Sequence, residues 1–208
     1  MARAQETSPD GSRRRRLAVK ERRDELLRVG MELFSTRAYD DIWVGEIADR
    51  AGVSRGLLYH YFPTKRDFYV AVTRAAAAEA GELTAPDPSL SVPGALRAGI
   101  EAFVGYAEQH SQGFLTAYRG SLAGDPEVRE IVEQGRERQL GRILSLVWPG
   151  EGPPPVLHLA VRGWIALAQA VTAQWLEQRQ PPRAAVCQLL ERTLADTVSA
   201  ATALASGR

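Results

Sequence analysis

Twelve prolines divide this 208-residue chain, at positions 9, 63, 86, 88, 93, 126, 149, 153–155, 181 and 182. Each removes a backbone donor and clashes with the preceding turn of a helix, so helices must begin or end around them. The stretches between are rich in Ala, Leu, Glu, Arg and Gln, which sustain helices well. No run of alternating β-branched residues interrupts them, and the fold is therefore predicted to be all-α. Helices are expected over about 17–35, 44–50, 54–61, 65–81, 94–110, 113–122, 126–148, 155–178 and 183–205. Two starts are well marked. Asp125-Pro126 offers a capping carboxylate followed by proline at the first helical position. Thr64-Lys65-Arg66-Asp67 reads as a capping box with Asp in place of the commoner Glu.

An apolar share of 45% and a charged share of 25% suit a globular protein and exclude a disordered or collagen-like chain. The single cysteine, Cys187, excludes a disulfide framework; no His or Asp motif accompanies it, so it is read as buried and inert. Residues 1–16 are polar and contain Arg13 to Arg16 in a row, with no apolar segment of the secretory kind, and are expected to form a disordered basic arm. The most apolar stretch, Leu157 to Leu176, is interrupted by Arg162, Gln169 and Gln174 and is read as too polar to cross a bilayer unaided. A cytoplasmic protein with no membrane partner is expected. The net charge of +1 hides an asymmetry: residues 1–66 hold 14 Lys+Arg and 10 Asp+Glu, for +4, while residues 67–208 hold 12 and 15, for −3.

The most informative stretch is 44–62. Ile47 and Ala48 belong to one short helix, Gly52 stands where the chain must turn, Val53 plugs the corner, Ser54 caps the next helix and Leu58 points back into the same small core. Those offsets describe two helices joined by a tight turn, a helix-turn-helix. The residues left over on the second helix, Arg55, Leu57, Tyr59, His60 and Tyr61, make a basic and aromatic surface suited to base edges and phosphates in a major groove. Lys65 and Arg66 then occupy the first turn of the following helix, where the dipole disfavours cations. A DNA phosphate beside that helix start would account for both.

Over about Arg22 to Val72 the chain resembles the TetR family of transcriptional regulators. The resemblance rests on Gly30-Met-Glu-Leu-Phe34, Ile47-Ala48, Ala51-Gly-Val-Ser54, Gly56, Leu58-Tyr59, Tyr61-Phe62 and Lys65. It implies a DNA-facing surface made of Ser54, Arg55, Gly56, Tyr59, His60 and Tyr61, with Trp43, Val44 and Gly45 contributed by the start of the preceding helix. Tyr59, Tyr61 and Lys65 would touch mainly phosphates. Arg55 would read a base and Leu57 would meet a thymine methyl. Two departures stand out. Trp43 replaces the Thr usual at the start of the second helix, so its capping role is expected to pass to Asp41, and Gly45 removes a side chain from the same face. The basic arm, with Lys20, Arg22 and Arg23, would track the DNA backbone or enter a minor groove.

The remaining two-thirds read as a sensor and dimerisation module. Leu157, Val161, Trp164, Ala168, Val171 and Trp175 form one stripe on the helix at 155–178, and Gly163, Ala166, Ala170 and Ala173 form a second. The last helix carries Val186, Leu190, Leu194, Thr197, Ala201 and Leu204. Two such helices suggest a four-helix bundle across a two-fold axis, as the resemblance also implies. Phe103, Tyr106, His110, Phe114, Tyr118, Arg119 and Trp164 combine aromatic surface with a few polar groups and suit an effector pocket as well as they suit an ordinary core.

Enzymatic signals are absent from the sequence. His60, His110 and His158 lack HExxH spacing, no CxxC occurs, and neither GxGxxG nor a P-loop is found, so no catalytic residue, metal or cofactor is expected. Asp40-Asp41 look like caps. The chain is thus expected to hold a basic arm (1–16), a three-helix DNA-binding domain (17–66) and a helical effector-binding and dimerisation domain (67–208). The function expected is that of a repressor that binds a pseudo-palindromic operator as a homodimer and is released by a small-molecule effector. An all-α carrier or enzyme, or an architectural DNA binder needing no effector, is the competing reading.

Overall fold

The computed structural model describes residues 9–150 and 152–207, with side chains described for residue 17 and from residue 19 onward. Among them the helices are α1 (Pro9–Thr36), α2 (Val44–Arg50), α3 (Arg55–Tyr61), α4 (Lys65–Leu83), α5 (Val92–Gln109), α6 (Ser111–Arg119), α7 (Pro126–Val147), α8 (Pro155–Gln178) and α9 (Arg183–Ala205), with a 3₁₀ turn at Tyr39–Asp41. No strand occurs among the described residues.

The helix starts follow the local chemistry. Thr64 and Asp67 form the capping box in full: the Asp67 amide donates to Thr64 Oγ1 at 3.0 Å and the Thr64 amide to Asp67 Oδ2 at 3.1 Å. Asp125 Oδ1 accepts from the amides of Glu127 and Val128 at 2.9 and 3.3 Å, with Pro126 first in α7. Ser91 caps α5 two residues earlier than expected, because Pro93 fits inside the first turn. The largest boundary difference is at α1, which begins at Pro9 rather than at Leu17. No proline lies between Pro9 and Pro63, and arginine sustains a helix, so residues 9–16 of the expected arm are helical. Residues 1–8 of that arm lie outside the described residues.

Two apolar cores result. The first gathers Leu26, Leu33 and Phe34 of α1, Ile47 of α2, Leu58 of α3 and Phe68, Tyr69 and Val72 of α4, and it is roofed by Val128 and Ile131 of α7. The second is built from Ile100 and Val104 of α5, Leu140 and Ile143 of α7, Leu157 and Val161 of α8, and Leu190 and Leu194 of α9. α8 and α9 form the most extensive helix pair. The first stripe of α8 is buried apart from the half-buried Val171, whereas Gly163, Ala166 and Ala170 of the second stripe are exposed and Ala173 is buried. Leu204, expected in the stripe of α9, is exposed instead. α8 does have the length and composition to cross a bilayer, contrary to the reading from its polar interruptions, but its apolar stripe packs inside the protein against α7 and α9.

α1 and α4 cross at Gly30. A Cβ there would lie 2.5 Å from Val72 Cγ2 and 2.6 Å from Phe68 Cζ, so glycine sets the approach of the two helices. Gly30→Ala gains helix propensity of about 1 kcal/mol but overpacks the crossing by about 1–3 kcal/mol. The expected net effect is a lower urea midpoint at unchanged m-value. A raised midpoint would mean that the crossing can relax.

Candidate nucleic-acid interface and internal cavity

The turn between α2 and α3 has the geometry that its residues require. Gly52 adopts φ 64°, the Val53 amide returns to Ala48 O at 3.0 Å, and Ser54 Oγ accepts from the Leu57 amide at 3.1 Å. Leu58 is buried, and this turns Ser54, Arg55, Gly56, Leu57, Tyr59 and His60 to solvent. Tyr61 is half-buried, its ring edge-on to His60 at 5.7 Å. Val44 and Gly45 are half-buried at the start of α2. A Cβ on Gly45 would stand 2.5 Å from Arg55 Nη2, so the missing side chain makes room for the Arg55 guanidinium.

Trp43 is 76% exposed and precedes α2 without making a side-chain cap. The expected transfer of capping to Asp41 does not occur. Asp40 and Asp41 lie within the 3₁₀ turn, and no side chain caps the start of α2. Asp40 Oδ2 accepts from Ser121 Oγ at 3.0 Å, and the Asp41 carbonyl accepts from Arg37, which also pairs with Glu46. The acidic pair therefore stitches the turn rather than capping a helix.

The two cations in the first turn of α4 have partners inside the protein. The Lys65 ammonium lies over the Tyr39 ring, 4.1 Å from its centroid, and desolvation holds it below the usual lysine range. Arg66 does not need a phosphate to account for its position. Its Nε and Nη2 donate to the two carboxylate oxygens of Asp125 at 2.6 and 2.9 Å, and Nη1 donates to Glu127 at 2.9 Å. That fork fixes the start of α4 to the start of α7 and holds the Asp125 carboxyl below the ordinary range.

A cavity of about 220 Å³ lies between α1 and the helices α4 to α9. Phe103, Tyr106, His110, Phe114, Tyr118 and Trp164 line it. Arg119 does not: it is exposed, donating to Glu177 Oε2 at 2.9 Å on the outer side of α8. The wall holds a polar chain that the sequence reading missed. Arg136 Nε donates to Gln169 Oε1 at 2.7 Å, and Gln169 Nε2 donates to the Tyr118 hydroxyl at 3.0 Å. Burial pushes the Tyr118 phenol up to about 12. The Tyr106 hydroxyl donates to Ala76 O at 3.0 Å, and burial lowers the affinity of His110 for a proton. Met31, Phe34 and Tyr69, from the core behind α2 and α3, also face the cavity. Only tertiary structure brings them there. Cys187 is half-buried, with its thiol pushed up by desolvation. Among the described residues no three His, Cys, Asp or Glu side chains gather as a metal site.

Comparison with known proteins agrees with this geometry. Residues 26–72 match the family described as bacterial regulatory proteins, tetR family, and residues 92–196 match the family described as Tetracyclin repressor-like, C-terminal domain. The chain is 30% identical over 181 residues to the HTH-type transcriptional activator FasR of Mycolicibacterium smegmatis, covering 85% of this chain and 83% of that protein. It is 42% identical over 53 residues to the HTH-type transcriptional repressor KstR2 of the same organism, 26% of either chain. The crystal structure of a tetR-family transcriptional regulator from Streptomyces coelicolor superposes with a TM-score of 0.79 at 31% identity, over 90% of this chain and 83% of that one.

Asp125 caps α7 and receives Arg66, and the two roles separate by mutation. Asparagine retains the cap but loses the ion pair, while alanine loses both and costs about a further 1 kcal/mol. Because the folded-state pKa of Asp125 is depressed, its ion pair stabilises the protein above the ordinary carboxylate pKa of about 4 and is lost as pH falls through the depressed value. Asp125→Asn should therefore be less stable than the parent at neutral pH and should lose less stability on acidification, measured by urea unfolding at each pH. Parallel pH profiles would show that the pair contributes nothing.

Proposed function

The chain belongs to the TetR family and is a ligand-responsive DNA-binding transcriptional regulator, and from that premise we propose how this particular chain grips and releases its operator. The chain divides into a DNA-binding part through the first turns of α4 and an effector-binding and dimerisation part beyond it. α3 enters the major groove with Arg55 as base reader, aided by the close approach that Gly56 allows and by Leu57 against a thymine methyl. Tyr59, His60, Tyr61 and Lys65 hold the flanking phosphates together with Val44 and Gly45 at the start of α2. Trp43 substitutes for the missing Thr by offering its indole N–H to a phosphate. The observation that carries this reading is the uninterrupted exposure of Ser54 to Leu57 with Tyr59 and His60 on a helix whose other side is anchored by buried Leu58.

Dimerisation through α8 and α9 is supported by the exposed row Gly163, Ala166 and Ala170, flanked by Leu159, Leu167, Leu189 and Leu204, which are 42–71% exposed in the single chain. Small residues let a partner helix approach closely, and a two-fold axis would present two copies of α3 to a pseudo-palindromic operator. The effector occupies the internal cavity. Because α4 supplies Tyr69, Val72 and Ala76 to its wall, an occupant displaces α4, and the separation of the two recognition helices changes with it. Effector and operator then antagonise one another reciprocally. Where the operator overlaps a promoter, release is derepression, and that is the sense we propose; it operates in the cytoplasm, where the DNA is. The protein acts as a regulator and not as an enzyme.

Gel shifts on the DNA upstream of the protein's own gene test the reading directly. Arg55→Ala should cost roughly 1–3 kcal/mol of specific binding and relax preference at one base position, and an unchanged selected-site profile would remove Arg55 as reader. Sedimentation should show a dimer at micromolar concentration, converted to monomer by Ala166→Arg. A dimer that survives this charge would place the interface elsewhere.

A further inference from the structure

Resting on the reading that the cavity takes the effector, we infer that the effector is an anionic amphiphile: an apolar body bearing one carboxylate or phosphate head. The wall of the cavity contains three arginines, Arg136, Arg138 and Arg142, and neither Asp nor Glu. Glu79 accepts from the Tyr106 hydroxyl at 3.3 Å but is not itself part of the wall. The three cations are unequally occupied. Arg136 is already engaged, through Gln169 at 2.7 Å and the Glu133 carboxylate at 3.3 Å. The Arg142 guanidinium is half-buried and donates only to neutral oxygens, Gly81 O at 2.6 Å and Thr84 Oγ1 at 3.4 Å. Among the described residues no carboxylate pairs with Arg142 or Arg138.

Arg138 is the one exposed residue of the wall, so the cavity meets solvent beside it. Arg142 stands one helical turn further along α7, on the same side. Much of the remaining wall is aromatic and aliphatic, Phe34, Tyr69 and Phe114 included, beside the Arg136–Gln169–Tyr118 chain. A half-buried guanidinium without a counter-charge is costly, and an incoming anion relieves that cost while its apolar part fills the interior. A cation would meet two like charges and find no acid. The aliphatic and aromatic part of the wall suits an alkyl chain, for which octyl compounds serve as probes.

Calorimetry on the intact protein with octanoate, octyl phosphate, 1-octanol and octylammonium tests the charge requirement. Octanoate or octyl phosphate should bind at least about tenfold more tightly than the neutral and cationic analogues. The ratio between the two anions identifies the head as carboxylate or phosphate. Arg138→Gln/Arg142→Gln should remove the preference and leave octanol binding unchanged. Because Arg142 also supports the Gly81 carbonyl, the exposed Arg138→Gln alone serves as the second variant and should lower the preference part-way. Octylammonium binding as tightly as octanoate, an undiminished preference in both variants, or failure of all four compounds to bind would overturn the inference. Operator gel shifts with the same compounds separate it from the effector reading. If octanoate binds but the operator stays bound, the effector reading fails and the charge inference stands. If octanol or octylammonium releases the operator and the anions do not, the effector reading stands and the inference fails.

Discussion

The coupling proposed between the two ends of this protein runs through α4, which is buried in two different environments along its length. Its first half contributes Phe68, Tyr69 and Val72 to the core that positions α2 and α3. Its middle and end, from Thr73 to Gly81, form one wall of the cavity. Tyr69 and Val72 belong to both, packed in the first core and bordering the cavity. A close-packed interior transmits displacement because it has no slack in which to absorb it. At Gly30 even a methyl group on α1 would collide with Val72 and Phe68. In the proposed switch a shift of α4 would therefore be passed to α1 and, through the shared core, to α3 rather than dissipated.

Packing alone would leave α4 free to slide along α7. The Arg66 fork opposes that motion at the start of both helices, and Arg142, donating to Gly81 O, ties them again near the end of α4. The fork joins the first turn of α4 to the cap of α7, so that a local signal of helix initiation also serves as a tertiary anchor. The same arrangement resolves the unfavourable placement of a cation at a helix N-terminus. Asp125 and Glu127 supply negative charge at the start of α7, favourable to its own dipole, and Arg66 is drawn to them against the dipole of α4. One bidentate pair thus reconciles two helix ends that meet. It is partly exposed, so its energy is modest and screened by salt, which suits a joint that has to move.

How much of this was legible in the sequence follows from the range of the forces involved. Caps and turns depend on residues two to four apart, and so Ser54, Gly52, Thr64-Asp67 and Asp125-Pro126 could be read directly, as could the buried stripe of α8. Arg66 was misread because its main partner lies 59 residues away, beyond the reach of a local reading of the helix start. Asp41 was misread because it belongs to a 3₁₀ turn, which has no strong signature in three residues, and takes part there through its backbone carbonyl. Arg119 was grouped with Phe114 and Tyr118 by proximity in sequence. Those two are four apart and share a face, whereas Arg119, one residue further round the helix, is turned outward to Glu177. The arginines of α7 escaped notice for the opposite reason: Arg136, Arg138 and Arg142 sit in a helix whose overall composition is that of a solvated surface, and only its packing shows that they border a cavity.

The energetic demand on such a cavity is smaller than the burial of a whole ligand would suggest. Moving a two-state equilibrium from 1:99 to 99:1 takes about 5.5 kcal/mol of differential affinity, and a symmetric dimer with two occupied cavities divides this into about 2.7 kcal/mol for each. Burying eight methylene-sized groups yields about 6 kcal/mol in total, but only the part that differs between the two arrangements of α4 contributes to switching. Apolar contact with Tyr69 and Val72 is of that differing kind, since those side chains travel with the helix. Arg138 and Arg142 lie on α7, which roofs the first core through Val128 and Ile131 and is held to α4 by the Arg66 fork. A head group held midway along α7 and a tail pressed against α4 would therefore act on the two helices that the Arg66 fork joins. An amphiphile would be matched to that task better than a compact ligand of equal affinity, because its binding energy would be applied to both helices at once.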